Sequence, residues 1–173
     1  MNTSNIKKYG PQARNDFMQA VAKCLNQFGI DADKTGELLI SDVSIDGSVM
    51  QVAGNSFDAK LEKPRQKLLA RAQKQGFTQL VEHTAYTWFN RLCAIRYMEL
   101  HGYLDHGLRV LSHPDKANSF EILDHAQDVA QDLGLNRDHI IELKLAGNKD
   151  EELYRELLLG QCHALHKAMP FLF

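Results

Sequence analysis

TQLVEHTAYTWFNRLCAIRYMELH, residues 78–101, decides the fold. No Pro or Gly interrupts it, and Gly102 follows its last residue. Val81, Ala85, Trp88, Phe89, Leu92, Cys93, Ile95, Tyr97, Met98 and Leu100 fall around most of a helical circumference. The stretch predicts a helix about 36 Å long at 1.5 Å per residue. A helix apolar on nearly all sides is a buried, central one. The fold class that follows is mainly α.

Upstream, Pro64 opens a helix that Gly76 ends, with Leu61, Leu68, Leu69 and Ala72 on its apolar side. Pro suits a first helical position because its missing N–H has no partner there. Before it, residues 40–57 read as a small β-hairpin: Val43 and Ile45 alternate with polar neighbours, Asp46-Gly47 is a turn dipeptide, and Val49 and Val52 follow. Gly10-Pro11 opens a first helix, Phe17, Val21, Cys24 and Phe28 give it one face, and Gly29 caps it. Downstream, the loop 102–118 holds Ser112-His113-Pro114-Asp115. Ser119 is placed to cap a fourth helix ending at Gly134, and Asn136 a short fifth. Asn148, with Glu151 three residues on, is placed to cap a sixth that breaks at Pro170. The expectation is a single helical domain over 1–173, with about six helices and a small β-hairpin near residues 40–57.

The composition agrees with a folded domain: 173 residues, 44% hydrophobic and 24% charged. A net charge of −2 excludes a general polyanion binder, so any nucleic-acid contact has to come from a local patch. Residues 1–18 contain no apolar segment of signal-peptide type, and no apolar run approaches the ~20 residues of a membrane span. Cys24, Cys93 and Cys162 are far apart and odd in number, which suggests no disulfide framework and fits a reducing cytoplasm. The last residues, Phe171-Leu172-Phe173, are apolar. They are expected either to pack back onto the domain or to lead into further chain.

The clearest binding candidate is the helix that Pro64 opens. Lys60, Lys63, Arg65, Lys67, Arg71 and Lys74 face one acid, Glu62. Lys63, Lys67, Arg71 and Lys74 recur at spacings of 4, 4 and 3, one stripe. Such a stripe can follow a phosphate backbone, where neutralised phosphates release counterions. The same pattern fits a solvated helix face, or a face docked on an acidic partner. On the long helix, Asn90, Arg91, Arg96 and Glu99 admit a recognition helix, but Trp88 and Phe89 at core spacing favour arginines paired with buried carboxylates. Cys162, His163 and His166 lack the further ligands of a structural zinc site. Glu121, Asp124, Asp128 and Asp132 read as one solvated anionic stripe.

Three segments in order carry a resemblance. These are Thr84-Ala85-Tyr86-Thr87-Trp88-Phe89-Asn90-Arg91-Leu92 running into Ala94-Ile95-Arg96-Tyr97-Met98-Glu99 and Gly102-Tyr103-Leu104, the Ile45-Asp46-Gly47 turn with the basic helix after it, and Gln161-Cys162-His163-Ala164-Leu165-His166-Lys167-Ala168-Met169-Pro170-Phe171-Leu172-Phe173. Together they resemble the amino-terminal region of the PglX family, the DNA adenine-N6 methyltransferases of BREX phage defence. The resemblance implies a cytoplasmic, S-adenosylmethionine-dependent parent enzyme, with its catalytic domain, DNA and other BREX components as partners. The family's Asn-Pro-Pro-Tyr motif is absent here, since none of Pro11, Pro64, Pro114 and Pro170 is followed by another Pro. A glycine turn after a strand, which a Rossmann-like cofactor site needs, is absent too. No catalytic, cofactor or metal residue is therefore assigned, and the chain alone is expected not to methylate. A standalone interaction adaptor of the same defence system, without catalysis, is the alternative.

Overall fold

The computed structural model describes residues 4–173 and divides into two compact units, 1–88 and 89–173. The division falls inside one helix, α3 (Phe77–His101). The architecture is mainly α with a small β region, as expected.

In the first unit, α1 spans Ser4–Gln27, so Gly10-Pro11 lies inside the helix instead of opening it. Pro11 and Lys7 are both exposed, so water can serve the Lys7 carbonyl that the missing N–H leaves without an intrahelical donor. The buried face of α1 is built on Ala13 and Leu25, with Met18, Val21 and Ala22 partly buried; Cys24, expected on that face, is exposed. Gly29 ends the turn at φ +68, and a Cβ there would lie 2.5 Å from Val52 Cγ2 and 2.8 Å from Ser41 Cβ. Both its backbone geometry and its surroundings demand glycine.

Two sheets follow. β1 (Ile30–Ala32) pairs antiparallel with β2 (Leu38–Ile40), and β3 (Val43–Asp46), β4 (Val49–Val52) and β5 (Asn55–Asp58) form an antiparallel meander. The expected hairpin is β3–β4, with Asp46 opposite Val49 across Gly47-Ser48. The β1–β2 pair and β5 lie outside that expectation. The β1–β2 loop is organised by Asp33, whose Oδ1 accepts from the N–H of Thr35 (2.8 Å) and of Glu37 (2.9 Å). Ala53 (φ 48) and Gly54 (φ 76) make the tight β4–β5 loop, where two positive φ values match the strand twist. Met50 and Val52 alternate inward from β4 and are 0% and 2% exposed.

A 3-10 turn, Ala59–Leu61, leads into α2 (Glu62–Gln75). Gly76 (φ 84) separates α2 from α3. Leu25, Ile30, Ala72, Leu80 and Val81 form this unit's core, with Leu68, Leu69 and Phe77 packed against it.

In the second unit, Gly102 (φ 66) ends α3, and the Tyr103 N–H returns to the Met98 carbonyl at 2.9 Å, the bond of a Schellman cap. The long helix is not buried all round. Leu80, Val81, Ala85 and Ile95 are buried, whereas Tyr86 (68%), Tyr97 (57%) and Leu100 (53%) are exposed. Tyrosine carries a hydroxyl that tolerates water, so apolar residues on every side do not require neighbours on every side.

The single helix expected from Ser119 to Gly134 is two short ones, α4 (Glu121–Asp124) and α5 (Ala126–Val129), broken at His125 (φ −109, ψ 19). Ser119 caps neither. The N–H groups of Glu121 and Ile122 are taken by the carbonyls of Ser112 and Arg109, so the preceding loop caps α4 with its backbone. Asn136 does cap α6 (Arg137–Leu145), accepting from Asp138 and His139. Asn148 does not cap α7 (Asp150–Ala168), whose N-cap is Lys149; Asp150, Glu151 and Glu152 instead place negative charge against the helix dipole. Phe173 is buried at 6% and Phe171 is 87% exposed, so the apolar terminal run is only partly packed. No described helix is long and apolar enough to cross a membrane.

Candidate nucleic-acid interface

α2 starts at Glu62, so Pro64, expected to open it, lies within its first turn, where no intrahelical N–H bond is lost. The apolar set Leu68, Leu69 and Ala72 fixes which side faces outward. At 100° per residue, Lys63, Lys67, Arg71 and Lys74 fall within an arc of about 80°, and the stripe is about 16 Å long. All four are exposed, as are Gln66, Ala70 and Gln73 between them. Ala72 is buried and Leu68 and Leu69 are partly buried on the opposite side, which anchors the helix and holds the stripe outward. Among the described residues, none of the four cations pairs with a carboxylate. Lys60, one turn earlier, is within 3.7 Å of Asp58. Pro64, Lys67, Leu68, Ala70 and Arg71 line a shallow surface depression beside the stripe.

Arg65 is not part of the charged face. It is 2% exposed, and its guanidinium donates to the carbonyls of Phe28 (Nε, 2.7 Å) and Ser41 (Nη2, 2.9 Å). It ties α2 to the end of α1 and the end of β2. Composition could not separate Arg65 from its neighbours. Its position could, because it lies about 200° from Lys63, on the side of the apolar residues.

The second unit shows the opposite use of charge. The Glu99 side chain is fully buried and accepts from the N–H groups of Val110 (2.7 Å) and Leu111 (2.8 Å), from Ser112 Oγ (3.1 Å) and from Arg96. Arg96 also donates to Ser112 Oγ at 2.6 Å, and Arg91 donates to the Leu172 carbonyl at 3.3 Å. This part of α3 uses its charge to organise the loop that follows Gly102. Tyr154 donates to the Val110 carbonyl (3.2 Å) and stacks on Phe120 at 4.1 Å. Burial, with Glu99 nearby, pushes its phenol up to about 12.

The acidic residues expected as one stripe are separated by the break at His125. Glu121 accepts from the Arg109 N–H, Asp124 faces Lys116 and His113, and Asp128 faces His125. The hydrogen bond from Lys116, which is the largest effect, holds the Asp124 carboxyl below its usual value. Cys162 is buried and its thiol is pushed up, His163 is exposed, and His166 Nδ1 lies 2.6 Å from the Phe173 carbonyl. Among the described residues no group of three His, Cys, Asp or Glu is placed to hold a metal ion. His106 is committed elsewhere. Its Nδ1 accepts from the Leu108 N–H (3.1 Å), so the neutral ring carries its proton on Nε2, toward Gln161 Oε1 at 2.6 Å.

Among the described residues, the geometry gathers Lys63, Lys67, Arg71 and Lys74 on one exposed face of α2. By sequence, the chain is homologous to the amino-terminal region of adenine-specific methyltransferases. It is 58% identical over 174 residues to the adenine-specific methyltransferase BrxX of Escherichia coli O9:H4 (strain HS), of which it covers 14%. It is 31% identical over 187 residues to the adenine-specific methyltransferase PglX of Lacticaseibacillus casei (strain Zhang), of which it covers 16%. All of this chain is matched in both cases, but only that share of each relative. No protein-family model matches the chain.

Proposed function

We propose that this chain is the amino-terminal domain, residues 1–173, of a site-specific, S-adenosylmethionine-dependent DNA adenine-N6 methyltransferase of a BREX phage-defence system. Its role there is to hold the DNA backbone through α2, while cofactor binding and methyl transfer belong to a catalytic domain elsewhere in the protein. The enzyme works in the cytoplasm beside the other components of its system. The observation that carries the DNA-contacting role is the exposed stripe of Lys63, Lys67, Arg71 and Lys74, set opposite the buried side of its helix and free of carboxylate partners among the described residues. Each strand of a duplex presents a phosphate about every 3.4 Å of axis, so a stripe of about 16 Å runs past several.

Phosphate contact carries no sequence information, so binding through α2 is weak, non-specific and salt-sensitive. Four neutralised phosphates correspond to a slope of about −3.6 in log K against log salt, or roughly a hundredfold loss between 50 and 200 mM. The quadruple variant Lys63→Ala, Lys67→Ala, Arg71→Ala, Lys74→Ala is expected to abolish that slope in a fluorescence-anisotropy titration on duplex DNA. Unchanged affinity and slope in the variant would sink the role. The second reading, an adaptor without catalysis, draws on the exposed apolar residues of α3 and predicts no salt-dependent DNA affinity.

A further inference from the structure

The outward side of α3 within the second unit carries an unusual set of residues. Cys93, Tyr97 and Leu100 fall within an arc of about 60° at 100° per residue, and all three are exposed. Tyr103, 59% exposed, continues the patch just past the Gly102 cap. The rings are already arranged: Tyr97 lies 4.3 Å from His101 and 6.1 Å from Tyr103, and His101 and Tyr103 are stacked at 5.5 Å. Ordered aromatics lose little side-chain freedom on burial, and they are the side chains that anchor protein interfaces. Of the charged neighbours on this part of the helix, Glu99 is buried, and Arg96, exposed at the edge of the patch, is bound to Glu99 and to Ser112. A patch poor in free charge and rich in tyrosine suits a protein surface and not a phosphate backbone.

We infer that the face made by Cys93, Tyr97, Leu100 and Tyr103 is a docking surface for the rest of the same methyltransferase polypeptide. The inference rests on the reading that this chain is one region of a longer enzyme. The relatives supply the scale: this chain accounts for 14% and 16% of their lengths, so most of each polypeptide lies outside the matched region. The contact is isologous with nothing, because it joins two different parts of one chain. It therefore forms at the high effective concentration that a covalent connection provides.

The three cysteines make the test internal to one molecule. Cys93 lies in the face, Cys24 is exposed on α1, and Cys162 is buried in α7. The full-length methyltransferase is pulsed with a maleimide under native conditions, and each site is read by peptide mass spectrometry. The expected result is a Cys93 rate more than tenfold below that of Cys24, with Cys162 unlabelled. In the full-length variant Tyr97→Glu, Leu100→Glu, the Cys93 rate is expected to rise at least fivefold, with Cys24 and Cys162 unchanged. Partial burial raises the Cys93 thiol and slows it by itself, so recovery in the variant is the decisive quantity. Equal rates for Cys93 and Cys24 in the native enzyme overturn the inference, as does protection that persists in the variant. Protection that fades on dilution means that a second copy covers the face, which also overturns it. If labelling appears at Cys162 the variant has unfolded, and the single substitution Tyr97→Ser, which adds no charge, is read by the same criteria. The DNA titration with the α2 variant is separate, so loss of the phosphate-contact role leaves this result readable.

Discussion

The first unit buries a cation and the second buries an anion, and each does so with backbone groups as partners. Arg65 gives its protons to the carbonyls of Phe28 and Ser41, at the ends of α1 and β2. Glu99 takes the N–H groups of Val110 and Leu111, in the loop that leads to α4. The difference lies in what remains outside. In the second unit the exposed acids Asp124 and Asp128 each face a basic group, whereas in the first unit Lys63, Lys67, Arg71 and Lys74 face none among the described residues. Buried charge in both units organises loops. In the proposed role, the four cations of α2 are the charge that meets the phosphate backbone.

The largest expected effect separates the two keystones. Glu99→Ala leaves two backbone N–H groups and the Arg96 guanidinium without their acceptor, and about 3–5 kcal/mol of stability should be lost. Urea denaturation of the second unit measures it, and a loss under 1 kcal/mol would mean that water replaces the carboxylate. Arg65→Met removes the donors but fills the space with apolar volume, leaving two carbonyls short of partners. A smaller cost of about 1–3 kcal/mol is expected, read in the same way. If the two losses came out equal, the contrast between the units would fail.

Two titrations sharpen the comparison further. Tyr154 has its folded value raised from 10 to about 12 by burial and by Glu99. A raised value contributes stability that is fully present below pH 10 and is lost as pH rises through about 12. The melting temperature should therefore fall over that alkaline window, and Tyr154→Phe should flatten the fall. Asp124 is held low by Lys116 and His113. A lowered value contributes stability present above the ordinary carboxylate range and lost as pH falls through the folded value. Asp124→Asn should remove that part of the acid response, the smallest effect of the set because the carboxylate is exposed.

Much of this arrangement is legible in the sequence, for reasons that differ by element. Gly76 and Gly102 punctuate α2 and α3 because positive φ excludes side chains, so those boundaries could be read directly. Asp46-Gly47 announced the β3–β4 hairpin for the same reason. β1 could not be read, because three residues, Ile30-Asp31-Ala32, are too few to display a period. β5, with Asn55, Ser56 and Asp58, contains one apolar residue. The α4–α5 break was hidden because the loop backbone, not Ser119, supplies the cap. The cationic stripe on α2 was legible from its spacing. The burial of Arg65 does not show in the run of like charges itself, only in its helical position on the side of Leu68, Leu69 and Ala72. On α3, counting apolar positions could not tell a tyrosine that is covered from one that waits for cover.

Gly29 carries a consequence at the level of the gene. Its α-hydrogen occupies the space between Val52 and Ser41, and every other amino acid would place a carbon there, 2.5 Å from Val52 Cγ2. Any missense change in that codon therefore drives the same collision where α1, β2 and β4 meet. In a saturation-mutagenesis library selected for folded protein, this position should admit synonymous codons alone, whereas the glycine at 36, with open space around it, should be limited only by its backbone angle.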